Sequence, residues 1–147
     1  MRLIFTKRDG KYDDLLVERE GRPSERIACP KQGIIPHDMV HYAVESTLVG
    51  GGFLSLVAQG QAAAFGTVGG DPEEAVERLV ENFQAEMWGA RVTAEELIAS
   101  YEHACCARGH PAVPVSRADV ENIRSRIDEL TARWSALPLN ASLTLEL

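Results

Sequence analysis

Ser142-Leu143-Thr144-Leu145-Glu146-Leu147 alternates strictly, with three leucines on one face and Ser, Thr and Glu on the other. A period of two belongs to a half-buried strand. The matching strand signals lie at the far end of the chain. Leu3-Ile4-Phe5-Thr6 is apolar and partly branched, Asp9-Gly10 is a hairpin-turn signal, and Leu15-Leu16-Val17-Glu18-Arg19 reads as the returning strand. A turn at Glu20-Gly21-Arg22-Pro23 leads to a third short strand, Arg26-Ile27-Ala28-Cys29, ended by Pro30. The N-terminal meander is the natural partner of the C-terminal strand, so both chain ends are expected in one sheet.

The sequence between them is helical in pattern. Asp71-Pro72-Glu73-Glu74 carries a cap, a Pro at the first helical position and an acid at the third. Val76, Leu79, Val80, Phe83 and Met87 follow as one apolar stripe. Thr93-Ala94-Glu95-Glu96 repeats the device ahead of Leu97, Ile98, Tyr101 and Cys105, and Gly109 closes that helix. Ser116-Arg117-Ala118-Asp119 opens another. Its residues Val120, Ile123, Ile127, Leu130, Trp134 and Leu137 are spaced 3, 4, 3, 4, 3, a heptad seam stopped by Pro138. Such a seam packs a long helix on another helix of the same domain, or joins two copies as a homodimer through the 120–137 helix. A shorter helix is expected at Phe53–Ala58. Gly60 to Gly70 is rich in small residues and is assigned no element. The expected class is α+β: one domain over residues 1–147, with a small, mostly antiparallel sheet and four or five helices.

With 15 Lys and Arg against 22 Asp and Glu, the formal net charge is −7. An acidic chain is a poor partner for nucleic acid or an anionic membrane, which both need a basic face. Arg124 and Arg126 stand among acids and read as a solvated helix face. No apolar run is long enough to span a membrane, and the apolar stretch at the N-terminus is too short for a signal peptide. The cytoplasm is the expected compartment. Cys29, Cys105 and Cys106 make an odd count without a Cys-x-x-Cys pair and are expected as free thiols. Cys105 falls on an apolar stripe, and Trp88 and Trp134 are expected in the core or an interface. Gly50-Gly51-Gly52 lacks the Lys-Ser/Thr of a phosphate-binding loop, so it reads as a turn that ends the preceding helix.

The chemically loaded segment is that helix: Pro36-His37-Asp38-Met39-Val40-His41-Tyr42-Ala43-Val44-Glu45. Pro36 suits the first helical position, and Asp38 places a negative charge at the positive end of the helix dipole. Residues four apart share a helix face, so His37, His41 and Glu45 form a polar stripe. Two histidines at this spacing can hold zinc or another divalent metal, as in His-Glu-x-x-His metalloproteases. Here Asp38 stands where that motif has its Glu base, one methylene shorter, which weakens the protease reading. Glu45 lies roughly 12 Å along the axis from His37, too far to share one ion with it. It suits an orienting partner for the His41 ring. A third ligand must then come from elsewhere, with His103, His110, Glu102 or a cysteine as candidates. The doublet His37-Asp38 resembles that of HD-type phosphohydrolases, but those need a further upstream His and are all-helical. The bland alternative is a hydrogen-bonded cluster at the edge of a buried helix face.

Ile35-Pro36-His37-Asp38-Met39-Val40-His41-Tyr42-Ala43-Val44-Glu45 resembles a group of short bacterial proteins without an assigned activity. They carry Leu-Pro-His-Asp-Leu-x-His-Phe-x-Val-Glu after an N-terminal β-hairpin. Ile35, Met39 and Tyr42 replace the group's Leu, Leu and Phe, and the following Gly52-Phe53 is also similar. The resemblance covers roughly the first 70 residues. It implies a bacterial cytoplasmic protein and groups His37, Asp38, His41 and Glu45 as a unit, but lends no activity.

Three functions are compatible with these residues. One is a ligand or divalent-metal pocket in which His37 and His41 make contact, Asp38 is an acid/base candidate and Glu45 orients. The second is a non-enzymatic interaction or oligomerisation module in which the cluster is structural. The third is a metal-dependent hydrolase.

Overall fold

A computed structural model of the chain describes residues 1–31, 33–48, 50–63 and 69–147. It is an α+β structure whose elements run β1 (Arg2–Thr6), β2 (Tyr12–Glu18), β3 (Glu25–Pro30), α1 (His37–Glu45), α2 (Phe53–Ala58), α3 (Asp71–Trp88), α4 (Ala94–Arg108), α5 (Arg117–Ala136) and β4 (Ser142–Glu146). The sheet is antiparallel throughout, in the order β3-β2-β1-β4. The C-terminal strand does pair with the meander: Leu143 lies opposite Phe5 and Leu145 opposite Leu3. Register is fixed because a one-residue slip would turn every leucine to solvent. Gly10, at φ +86°, supplies the left-handed residue of the first hairpin. The Gly60–Gly70 stretch lies partly outside the described residues.

Leu3, Phe5, Leu15, Val17, Leu143 and Leu145 form the inner face of the sheet and belong to one continuous core with the helices. Met39, Val40, Ala43 and Val44 of α1 and Val76, Leu79, Val80 and Phe83 of α3 are almost fully buried in it. Each of these side chains other than Ala43 contributes about 1.5–3 kcal/mol relative to leaving it in water. Lys7 ties the end of β1 to the end of α5. Its ammonium donates to the Trp134 carbonyl at 2.7 Å and sits 5.3 Å from the Trp134 ring centroid.

The seam of α5 is spent inside the chain. Val120, Ile123, Ile127, Leu130 and Trp134 are all buried, and α5 packs on α1 and α4. A homodimer through this helix would have to use another of its faces. Arg124 departs from its sequence reading. It is 6% exposed and forms a close bidentate pair with Glu86, while its Nη2 also donates to the Val92 carbonyl at 2.8 Å. Facing elements supply that carboxylate and carbonyl, which the local sequence could not reveal.

Three helix boundaries differ from expectation. Pro36 precedes α1 with extended backbone (φ −52°, ψ 141°), and His37 is the first helical residue. The helix ends at Glu45, ahead of the glycines, and the hydroxyls of Ser46 and Thr47 bond back to the carbonyls of Tyr42 and Ala43. Asp71 is the first residue of α3, not its cap. Gly70 precedes it and donates its N–H to the Glu73 carboxylate at 2.8 Å. The caps at Thr93 and Ser116 are as expected, and Gly109, at φ +77°, closes α4.

Candidate metal centre

α1 packs against α3, and the two helices set His37 and His41 against Glu77. Glu77 flanks the apolar stripe of α3, on the same side of that helix as Glu74, Glu81, Gln84 and Trp88. Spacings of three and four residues put these together on one wall of a cleft of about 940 Å³. His37, Asp38 and His41 of α1 line the same cleft, as do residues of β3 and α2.

The three donor groups converge. The Nε2 atoms of His37 and His41 are 3.1 Å apart. Glu77 reaches His41 Nε2 with Oε2 at 2.8 Å and His37 Nε2 with Oε1 at 3.4 Å. One ligand atom from each residue lies within 4.8 Å of the others. An ion with bonds of about 2.05 Å holds two ligand atoms about 2.9 Å apart at a right angle and about 3.4 Å apart at the tetrahedral angle. The two Nε2 atoms, 3.1 Å apart, fall in that range, and each of them meets a different oxygen of the Glu77 carboxylate.

The other edge of the His41 ring is fixed from behind. Nδ1 lies 3.0 Å from Glu45 Oε2. Glu45 has no exposed side-chain surface. It accepts the backbone N–H of Leu54 at 3.2 Å and of Ser55 at 3.1 Å, and so caps the start of α2. Gly52 makes this approach possible. A Cβ there would lie 2.7 Å from Val76 Cγ1 and 2.8 Å from Glu45 Cδ. The arrangement is a carboxylate that orients a histidine whose far nitrogen is offered to a site.

Hydrogen-bond accounting shows what His41 demands. Its Nδ1 donates to Glu45, so a neutral ring would leave a lone pair on Nε2. That lone pair would face the Glu77 carboxylate and the His37 ring nitrogen. A cation on Nε2, either a second proton that makes His41 an imidazolium or a metal ion, relieves that contact. Without a metal, the proton is strongly held. Burial pulls the His41 pKa down, but the hydrogen bonds and charges of Glu45 and Glu77 outweigh it and lift the pKa to about 10. Burial raises the Glu77 pKa, but His37 and His41 overcome that and hold it well below the usual carboxylate range.

The remaining sequence candidates separate. Glu45 orients His41 as expected and does not line the cleft. Asp38 does line it but is not part of the converging set; the Cys29 thiol lies 3.9 Å from its Oδ2. Burial, with Asp38 beside it, pushes the Cys29 thiol up to about 12, so it stays protonated at neutral pH. His103, His110 and Glu102 are not in the set either. The third member is Glu77, which the sequence reading missed. Its only signal was its place on the flank of the α3 stripe, where acids are usually solvated. Of the two tryptophans expected in the core or an interface, Trp134 is in the core, whereas Trp88 is 68% exposed and lines the cleft.

No helix among the described residues is long and apolar enough to cross a membrane. Compared with known proteins, the chain matches no family model, no curated protein and no solved structure.

Proposed function

We propose that this chain is a divalent-metal protein in which His37, His41 and Glu77 hold one ion at the floor of the cleft. Two imidazoles and one carboxylate form the ligand set of catalytic zinc sites, and also the facial set of non-haem iron. The carrying observation is the convergence of His37 Nε2, His41 Nε2 and the Glu77 carboxylate from two packed helices, with the two ring nitrogens 3.1 Å apart. Three protein groups converge among the described residues, which leaves further coordination positions for the cleft. A water or a substrate oxygen bound there would be polarised, as Lewis-acid chemistry requires. The reading extends to metal-dependent hydrolysis, with Asp38 as the acid/base candidate on the cleft wall. A bacterial cytoplasmic setting accords with the motif resemblance.

Cobalt(II) tests this directly, because its visible absorption reports ligand type and coordination number. The proposal expects one cobalt per chain and a band that changes when azide is added, since azide would take an open position. A spectrum no different from aqueous cobalt would overturn it. That outcome would favour the structural alternative, in which an imidazolium at His41 joins α1 to α3 through Glu77.

A further inference from the structure

β3 is an edge strand, and its free edge forms one wall of the cleft. Lys31 donates its N–H to the Lys11 carbonyl at 3.0 Å. This pair continues the register in which Cys29 faces Asp13, Ile27 faces Leu15 and Glu25 faces Val17. Hydrogen-bonded and non-hydrogen-bonded pairs alternate along an antiparallel ladder. Glu25, Ile27 and Cys29 therefore spend their N–H and C=O groups on β2. Arg26 and Ala28 turn theirs outward, and Pro30 turns out a carbonyl alone. Among the described residues no strand lies on that side of β3. Five consecutive residues, Arg26 to Pro30, line the cleft. A strand's two faces present alternate residues, so the cleft runs along the edge.

We propose that the cleft binds an extended polypeptide segment of neutral or basic character, added as a strand to the β3 edge with its main chain passing the His37–His41–Glu77 site. Only its contact with an ion rests on the metal reading above. Two N–H donors and three carbonyl acceptors at strand spacing match the main chain of a peptide, which gives such complexes their affinity. Free edges are commonly blunted by charge, proline or a covering segment. Here Pro30 removes a donor at one end only, and the central Ala28 leaves the ladder accessible. Asp38, Glu74, Glu77 and Glu81 on the walls are offset by Arg26, by the cation at His41 and by Arg78 behind Glu74 and Glu81, which leaves no net positive charge to attract an anionic chain. On the α3 wall the exposed indole of Trp88 offers apolar surface to a side chain of the bound segment.

The test uses the zinc-loaded, ¹⁵N-labelled protein and the blocked peptide acetyl-Lys-Val-Ala-Thr-Val-Lys-amide. In the free protein the amides of Arg26 and Ala28 should exchange quickly and those of Ile27 and Cys29 slowly. Saturating peptide should slow exchange at Arg26 and Ala28. N-methylating alternate peptide amides should weaken binding by about tenfold or more, as loss of one or two hydrogen bonds implies. Ala28→Pro should weaken it similarly. Proline is tolerated on an edge strand where its missing N–H faces outward, so zinc affinity should not change. Zinc affinity is measured on the same samples, and the peptide arm is repeated without metal. A failed metal site is therefore seen separately from a failed peptide site. Absence of saturable peptide binding overturns the proposal, as does binding indifferent to both N-methylation and Ala28→Pro. Concentration-dependent protection of Arg26 and Ala28 without peptide also overturns it, because a second copy of the chain then occupies the edge.

Discussion

Glu77 Oε2 lies 2.8 Å from His41 Nε2, on the edge of the ring opposite Glu45. In the metal-free protein an imidazolium relieves this contact, and its stability contribution depends on pH. The folded pKa of His41, about 10, lies above its ordinary value of 6.5. Its contribution is complete below about pH 6.5 and is lost as pH rises through about 10. Glu77 has the opposite sign: its folded pKa is depressed from 4.5. Its contribution is present above that value and is lost as acid protonates it. For this pair the chelator-treated protein should be most stable between about pH 4.5 and 6.5. Thermal melts should show Tm falling from pH 6.5 to 10. Zinc should remove the alkaline fall, because it binds the deprotonated ring. A Tm in chelator that is flat across pH 6.5–10 would refute the assignment of an imidazolium.

Replacing Glu77 by Gln preserves size but removes the anionic ligand atom. Zinc affinity should fall by roughly 100-fold or more, since even groups that only orient a ligand are worth 10–100-fold. Competition with a coloured chelator reads this. The helical circular dichroism signal should be unchanged, because Glu77 sits on the cleft wall and not within the core.

Glu45 and Gly52 act through position. Glu45→Gln should weaken zinc binding by about 10–100-fold and lower stability by about 1–3 kcal/mol. The new amide hydrogens would meet the His41 ring or the N–H groups of Leu54 and Ser55. Gly52→Ala should produce both effects with no change of charge. Its Cβ would press on Glu45 and Val76, and overpacking of this kind costs about 1–3 kcal/mol. Urea unfolding alongside zinc titration checks both variants.

Away from the site, Glu86→Ala should destabilise the fold by about 1–3 kcal/mol, because it removes the bidentate partner of Arg124 and leaves it only the half-exposed Glu121 carboxylate at 3.4 Å and the Val92 carbonyl. The double variant with Arg124→Met should recover much of that loss. Equilibrium unfolding of the two variants decides it.

The strands and long helices were legible because each declares itself locally. The leucine alternation of 142–147, the Asp9-Gly10 turn, the caps at Thr93 and Ser116 and the seam of α5 need only sequence-near information. Half of the candidate site was legible for the same reason: His37, His41 and Glu45 share one helix, and the length of that helix already separated ligand from orienting group. Glu77 was not legible. In sequence it is one acid among Glu73, Glu74 and Glu81, and only the packing of α3 on α1 sets it apart. Arg124 failed likewise: beyond Glu121 on its own helix, the partners that bury it are Glu86 and Val92 on other segments.

The central claim is that His37, His41 and Glu77 share one divalent ion. Its most direct measurement is zinc stoichiometry and affinity by chelator competition, on protein purified without a metal-affinity tag and compared with the His37→Ala, His41→Ala variant. The account predicts one tightly held zinc per chain in the parent protein and none in the variant. Equal, weak binding by both proteins would contradict it.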